Sequence, residues 1–138
     1  MNILDKIIEH KKTEVALAKQ KQPEEVLKQM PGFNRQTFSL KQFLLDENKT
    51  GIIAEFKRQS PSKGIINATA DVVEVTKGYT ENGASCLSVL TDEIFFGGSN
   101  ADLIKARINN IPILRKEFII EEYQILEARA IEIGRAHV

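Results

Sequence analysis

Apolar positions in the first third of the chain recur at helical spacing. Ile3, Leu4, Ile7 and Ile8 fall on one side of a helix, and a face rich in Lys and Glu continues to about residue 20. Pro23 opens a second, short helix over PEEVLKQM, with proline in the first turn and acids behind it. Pro31 and Gly32 end it. Leu40, Phe43 and Leu44 share one side of a third short helix over residues 39–46.

From residue 51 the pattern changes to apolar run, loop and amphipathic stretch, repeated. GIIAEFKR predicts a first strand over residues 51–58. Asp71 and Glu74 have the spacing of a capping box that opens a helix to about residue 82, and Gly83 closes it. ASCLSVL, residues 84–90, predicts a second strand, and TDEIFFGGSN a loop. Ser99 or Asn100 caps the helix ADLIKARI. IPILRKEF is a third strand and its exit. Residues 121–131 predict a third helix, with Tyr123, Leu126 and Ala130 at helical spacing. The order βαβαβα argues for parallel strands with right-handed crossovers. Strands rich in Ile, Val and Leu fit burial on both faces. Two architectures remain, an open doubly wound sheet and a (β/α)8 barrel. A barrel takes about 250 residues, so this chain would stop less than halfway round.

Alternate residues of a strand share a face, which puts Ile53, Glu55 and Lys57 together. Opposite charges at the end of an apolar strand are costly unless used or paired. Polar groups gather after each strand: Glu55, Lys57, Arg58, Ser60, Ser62 and Lys63; then Thr91, Asp92 and Glu93, with Phe95, Phe96, Gly97 and Gly98 behind them; then Arg115, Lys116 and Glu117. Parallel α/β folds bind ligands at the carboxyl ends of their strands, so three such clusters are consistent with one shared site. The lysines suggest an anionic substrate, and a lysine can act as a general acid. Each group also has a bland reading. A lysine after a strand is usually solvated. SPSKG could be a plain turn, and it lacks the paired glycines and Lys-Ser/Thr of a phosphate loop. Phe95 and Phe96 are more often core, Cys86 reads as an inert buried thiol, and His10 as an exposed residue of a charged helix.

Composition narrows the classes. The 138 residues carry 19 basic and 19 acidic side chains, so no electrostatic footprint for nucleic acid exists. A single cysteine excludes an internal disulfide, and no Cys/His spacing suggests a metal. The N-terminus lacks the apolar core of a signal peptide, and no apolar run approaches the roughly 20 residues of a membrane span. The expectation is a cytoplasmic protein without membrane or nucleic-acid partners.

Three long segments, IIAEFKRQSPSKG, LSVLTDEIFFGGS and PILRKEFIIEEYQILEARA, closely resemble the indole-3-glycerol-phosphate synthase family of tryptophan biosynthesis. ILDKIIEHKKTEVA looks like that family's extra helix before the barrel. The resemblance covers residues 1–131. It implies an incomplete TIM (β/α)8 barrel: a helical extension over residues 1–48, then the first three βα units over residues 49–131. It implies a carboxy-lyase that converts a small phosphorylated substrate, 1-(2-carboxyphenylamino)-1-deoxyribulose 5-phosphate, into indole-3-glycerol phosphate, CO₂ and water, without metal or organic cofactor. By motif, Glu55 and Lys57 match the family's first-strand catalytic pair and Lys116 its third-strand lysine, the candidate general acid. Ser60 matches a substrate-loop serine and Phe96 an aromatic lining the anthranilate pocket. Glu117 stands where the family often has Asp and keeps the charge. Phosphoribosylanthranilate isomerase, the neighbouring pathway barrel, explains neither the long first helix nor Lys116. A small α/β module binding a phosphate ligand is the alternative from another class. Fusion to, or association with, a second pathway enzyme is not readable from the residues.

The family's later parts, a fifth-strand glutamate, a sixth-strand asparagine, a seventh-strand Glu-Ser-Gly and a phosphate-binding Gly-Ser, have no counterpart in this chain. By itself it is therefore expected to lack synthase activity and to melt broadly. Residues 132–138, EIGRAHV, are what the short-read adapter sequence GAG ATC GGA AGA GCA CAC GTC encodes, and its next codon is a stop. They are expected to be a non-native tail, which resequencing the source locus checks.

Overall fold

The computed structural model describes residues 1–133. The tail expected over residues 132–138 lies outside them, apart from the backbone of Glu132 and Ile133. Three helices come first: α1 (Ile3–Lys21), α2 (Glu24–Lys28) and α3 (Leu40–Leu45). Asn2 caps α1 by accepting from the Asp5 amide at 2.8 Å, and Ser39 caps α3 through the Gln42 amide. The helical period of α1 holds, but its packed stripe differs from the expected one. Ile7, Lys11 and Val15 are buried, whereas Ile3 and Leu4 are half exposed. A lysine sits in the middle of the packed face because carboxylates from two later loops meet it there.

The α/β part follows: β1 (Ile53–Phe56), a short hairpin of β2 (Gln59–Ser60) and β3 (Gly64–Ile65), α4 (Val72–Glu81), β4 (Cys86–Leu90), α5 (Asn100–Lys105), β5 (Ile113–Lys116) and α6 (Glu122–Ala128). Asp71 caps α4 by accepting from the Val73 and Glu74 amides, and Ser99 caps α5. A 3-10 turn, Ala106–Ile108, extends α5, and a π turn, Arg129–Ile133, extends α6. The segment that could have been a plain turn is the hairpin, with Gln59 opposite Ile65 and Ser60 opposite Gly64.

The three long strands form a parallel sheet in the order β1-β4-β5, with Glu55, Ser88 and Leu114 in register. Alternation divides it into two faces. Phe56, Leu87, Val89 and Ile113 turn to the helices, where they pack with Val72, Leu103, Ala106 and Ile111. Each such side chain contributes roughly 1.5–3 kcal/mol by leaving water. Ile53, Glu55, Ser88, Leu90, Leu114 and Lys116 occupy the other face. Burial on both faces, expected for every strand, holds only for the central β4, all of whose residues are buried. In the edge strand β1, Ile53 stays 44% exposed.

A second core of Val15, Leu27, Tyr123 and Ala130 joins α1 and α2 to α6. The Tyr123 hydroxyl donates to the Gln22 carbonyl just past the end of α1 at 2.7 Å, and lies 3.1 Å from the Ala18 carbonyl, which also accepts from the Gln22 amide. The helical extension is thereby bolted to the last βα unit.

Candidate active site

The carboxyl ends of β1, β4 and β5 lie side by side, because parallel strands in register end together. Glu55 stands level with Ser88, whose hydroxyl is 3.5 Å from its carboxylate. Lys57, the next residue on that face, holds its ammonium 3.6 Å from Glu55 Oε2. Both side chains remain about one-third exposed. Two strands away, Lys116 pairs with Leu90 and is exposed at the end of β5. Neighbouring strands run about 4.8 Å apart, so the backbones carrying Lys57 and Lys116 are separated by roughly 10 Å.

Phe96 comes from the loop after β4. Its ring meets that of Phe118, from the loop after β5, at 5.9 Å and 42°. Both rings are partly exposed and neither belongs to a core cluster, so the reading of Phe96 as core does not hold. The loop reaches this position by folding tightly against the strand it leaves. A Cβ on Gly98 would sit 2.0 Å from the Leu90 carbonyl oxygen, and Gly97 takes φ +65°. Ser60 is buried and works within its own hairpin, accepting from the Lys63 amide at 3.2 Å.

Other strand-end charges turn away from this face. Arg58 grips both Asp102 carboxylate oxygens and donates to the Ala70 carbonyl at 3.1 Å. Arg115 is buried, donating to Glu127 and to the Gln124 carbonyl, both at 2.8 Å, and to Asn100 at 3.2 Å. Glu117 accepts from Thr91 at 2.8 Å. The expected single site at three strand ends is therefore smaller than the polar clusters suggested. Alternation sends Lys116 to one face and Arg115 to the other.

Sequence reasoning gave Lys11 no role, yet its ammonium meets three carboxylates. It is 2% exposed, and its ammonium lies 2.7 Å from Glu14, 2.8 Å from Asp92 and 2.9 Å from Glu117. Burial works against the charge, but the hydrogen bonds to Asp92, Glu14 and Glu117 outweigh it, and the pKa is raised. Only its place on the helical stripe of Ile7 and Val15 could have marked it. His10, read as exposed, is partly covered. It pairs with Glu14 at 2.8 Å and lies edge-on to Phe95. Cys86 is 1% exposed and burial pushes its thiol up to about 11, as an inert thiol requires. A cleft of about 520 Å³ between α1 and the exits of β4 and β5 is lined by Lys11, Glu93 and Arg115, but by none of the five candidate residues. It is the seam between the extension and the sheet. Among the described residues, no three His, Cys, Asp or Glu side chains are grouped to hold a metal ion, and no helix is long and apolar enough to cross a membrane.

A family model described as indole-3-glycerol phosphate synthase matches residues 4–134. Curated relatives of that name include one from Legionella pneumophila (strain Paris), 46% identical over 129 residues, which span 92% of this chain and 49% of the relative. One from Bacteroides thetaiotaomicron is 45% identical over 135 residues, 94% of this chain and 50% of the relative. One from Bordetella pertussis is 43% identical over 133 residues, 94% of this chain and 51% of the relative. The chain spans about half the length of these relatives.

Proposed function

Because the chain belongs to the indole-3-glycerol phosphate synthase family, we propose that its three parallel strands are the first three βα units of a (β/α)8 barrel, and that their open face carries half of a ring-closing active site. Residues 1–48 are then the extension and residues 49–131 the barrel part. The observation that carries this reading is the placement of Glu55, Lys57 and Lys116. These three ionisable side chains share one face at neighbouring strand ends, and they are left accessible where Arg58, Arg115 and Glu117 are tied up. The half-exposed Ile52 and Ile53 weigh against a self-contained α/β binding module, which would cover them.

The chemistry follows from the substrate, 1-(2-carboxyphenylamino)-1-deoxyribulose 5-phosphate. A ring carbon bearing a carboxylate must attack a ketone carbon. Lys116 gives a proton to the ketone oxygen, which makes that carbon electrophilic as the new C–C bond forms. Lys57 holds the carboxylate until it leaves as CO₂, and its bonding electrons restore the aromatic ring. The hydroxyl made from the ketone then takes a proton from Lys57 and departs as water, while Glu55, which also orients Lys57, removes a proton from the neighbouring ring CH₂ so that the C=C bond of the indole forms. Phe96 and Phe118 wall the aromatic part, and Ser60 shapes the substrate loop. The test joins residues 1–131 to the remaining half of the Legionella pneumophila relative and follows indole-3-glycerol phosphate by its fluorescence. Turnover is expected. A folded hybrid that binds and converts no substrate would sink the proposal.

A further inference from the structure

The buried lysine of the extension is connected to both rings of the aromatic wall. Asp92, which receives the Lys11 ammonium on Oδ2, uses Oδ1 to accept from the amides of Phe95 at 2.7 Å and Phe96 at 3.3 Å. Glu117, which receives Lys11 on Oε1, accepts with that oxygen from the Phe118 amide at 2.9 Å and with its other oxygen from Thr91. Glu117 also directly follows Lys116. The Lys11 ammonium lies within ion-pair distance of three carboxylates, the third being Glu14 one helical turn away, to which it donates a hydrogen bond at 2.7 Å. Two of the three carboxylates beside Lys11, Asp92 and Glu117, thus each accept from the backbone of one member of the Phe96–Phe118 pair. A hydrophobic residue at position 11 would fill the stripe between Ile7 and Val15 but would leave the covered carboxylates of Asp92 and Glu117 without a cation.

We infer that Lys11 is a positioning residue for the aromatic wall: through Asp92 and Glu117 it sets the separation of Phe96 and Phe118, and so the fit of the substrate's aryl group. This rests on the reading of Phe96 as substrate wall. The ion pairs are nearly dry, which lets them transmit position rather than merely attract. His10 against Phe95 adds a second contact from α1 to the same loop.

The test uses the hybrid barrel with 4-fluorophenylalanine at position 96, read by ¹⁹F NMR without substrate and by steady-state kinetics with it. Lys11→Met is expected to shift and broaden the fluorine resonance. It should also raise KM about tenfold while changing kcat by less than about threefold, because the wall binds ground state and transition state alike. Lys11→Arg, which keeps a donor for both carboxylates, should recover most of the KM. If Lys11→Met does not fold, the triple variant Lys11→Met, Asp92→Asn, Glu117→Gln decides, since it buries no unpaired charge and keeps acceptors for the Phe96 and Phe118 amides. An unmoved resonance and unchanged KM in a folded variant would overturn the role of Lys11. An unmodified hybrid that folds but never turns over would instead overturn the proposed function, and the fluorine resonance would still report on Lys11.

Discussion

Two sets of charged side chains leave the same three strands. Arg58, Arg115, Asp92 and Glu117 are drawn into short-range pairs with Asp102 of α5, Glu127 of α6 and Lys11 of α1. Glu55, Lys57 and Lys116 stand on the other face, loosely paired or open. Both sets stand at the same strand ends, and Arg115 and Lys116 are adjacent. The difference is the partner each side of the sheet supplies. The helix side offers carbonyls and carboxylates fixed by α5 and α6, so cations there are consumed in holding the fold. The open side offers none to Lys116, whose side chain stays exposed.

This division is broken most directly at Lys116. Lys116→Ala in the hybrid barrel should lower kcat by about 10²–10⁴-fold with little change in KM, because a general acid acts chiefly on the transition state. A variant with near-normal kcat, measured by product fluorescence, removes it from that role. One residue back the outcome should invert. Arg115→Met would leave the mostly covered Glu127 without its cation and cost about 3 kcal/mol of stability. Denaturant unfolding measures this, and kcat of the folded fraction should hold.

Cys86 marks where the open face closes, since it shares a face with Glu55 but is covered. Its thiol ordinarily titrates near 9.0 and burial raises it to about 11 in the fold. Below 9.0 both states hold the proton. As pH rises from there the unfolded chain loses its proton first, so stability falls by on the order of 2 kcal/mol until about 11. Cys86→Ala should remove that part of the alkaline decline in unfolding titrations, and an identical decline in both proteins counts against a shifted thiol. The smallest effect is expected at Lys57. If it holds the substrate carboxylate, Lys57→Ala should raise KM about tenfold, whereas an unchanged KM argues against that contact.

Much of this architecture was legible along the chain. The order of elements, the caps at Asp71 and Ser99, the closing Gly83 and the placement of Glu55 with Lys57 on one face all follow from period and local geometry. The two short strands around SPSKG did not show, because they are two residues each and gain their pairing only when the loop folds back.

The sequence by itself determined which residues lie on helices and strands, since a period of 3.6 or 2 is written into neighbouring positions. It also determined which strand ends carry charge. Only the tertiary structure decided which of those charges are spent. Lys11 was one lysine on the stripe of Ile7 and Val15 until Asp92 and Glu117, distant in sequence, met it where its side chain is covered. Arg115 and Lys116 were alike until the packing of α5 and α6 gave partners to one face of the sheet alone. An ion pair between distant residues leaves no periodic trace, because its free energy depends on who is nearby after folding and on how little water remains there.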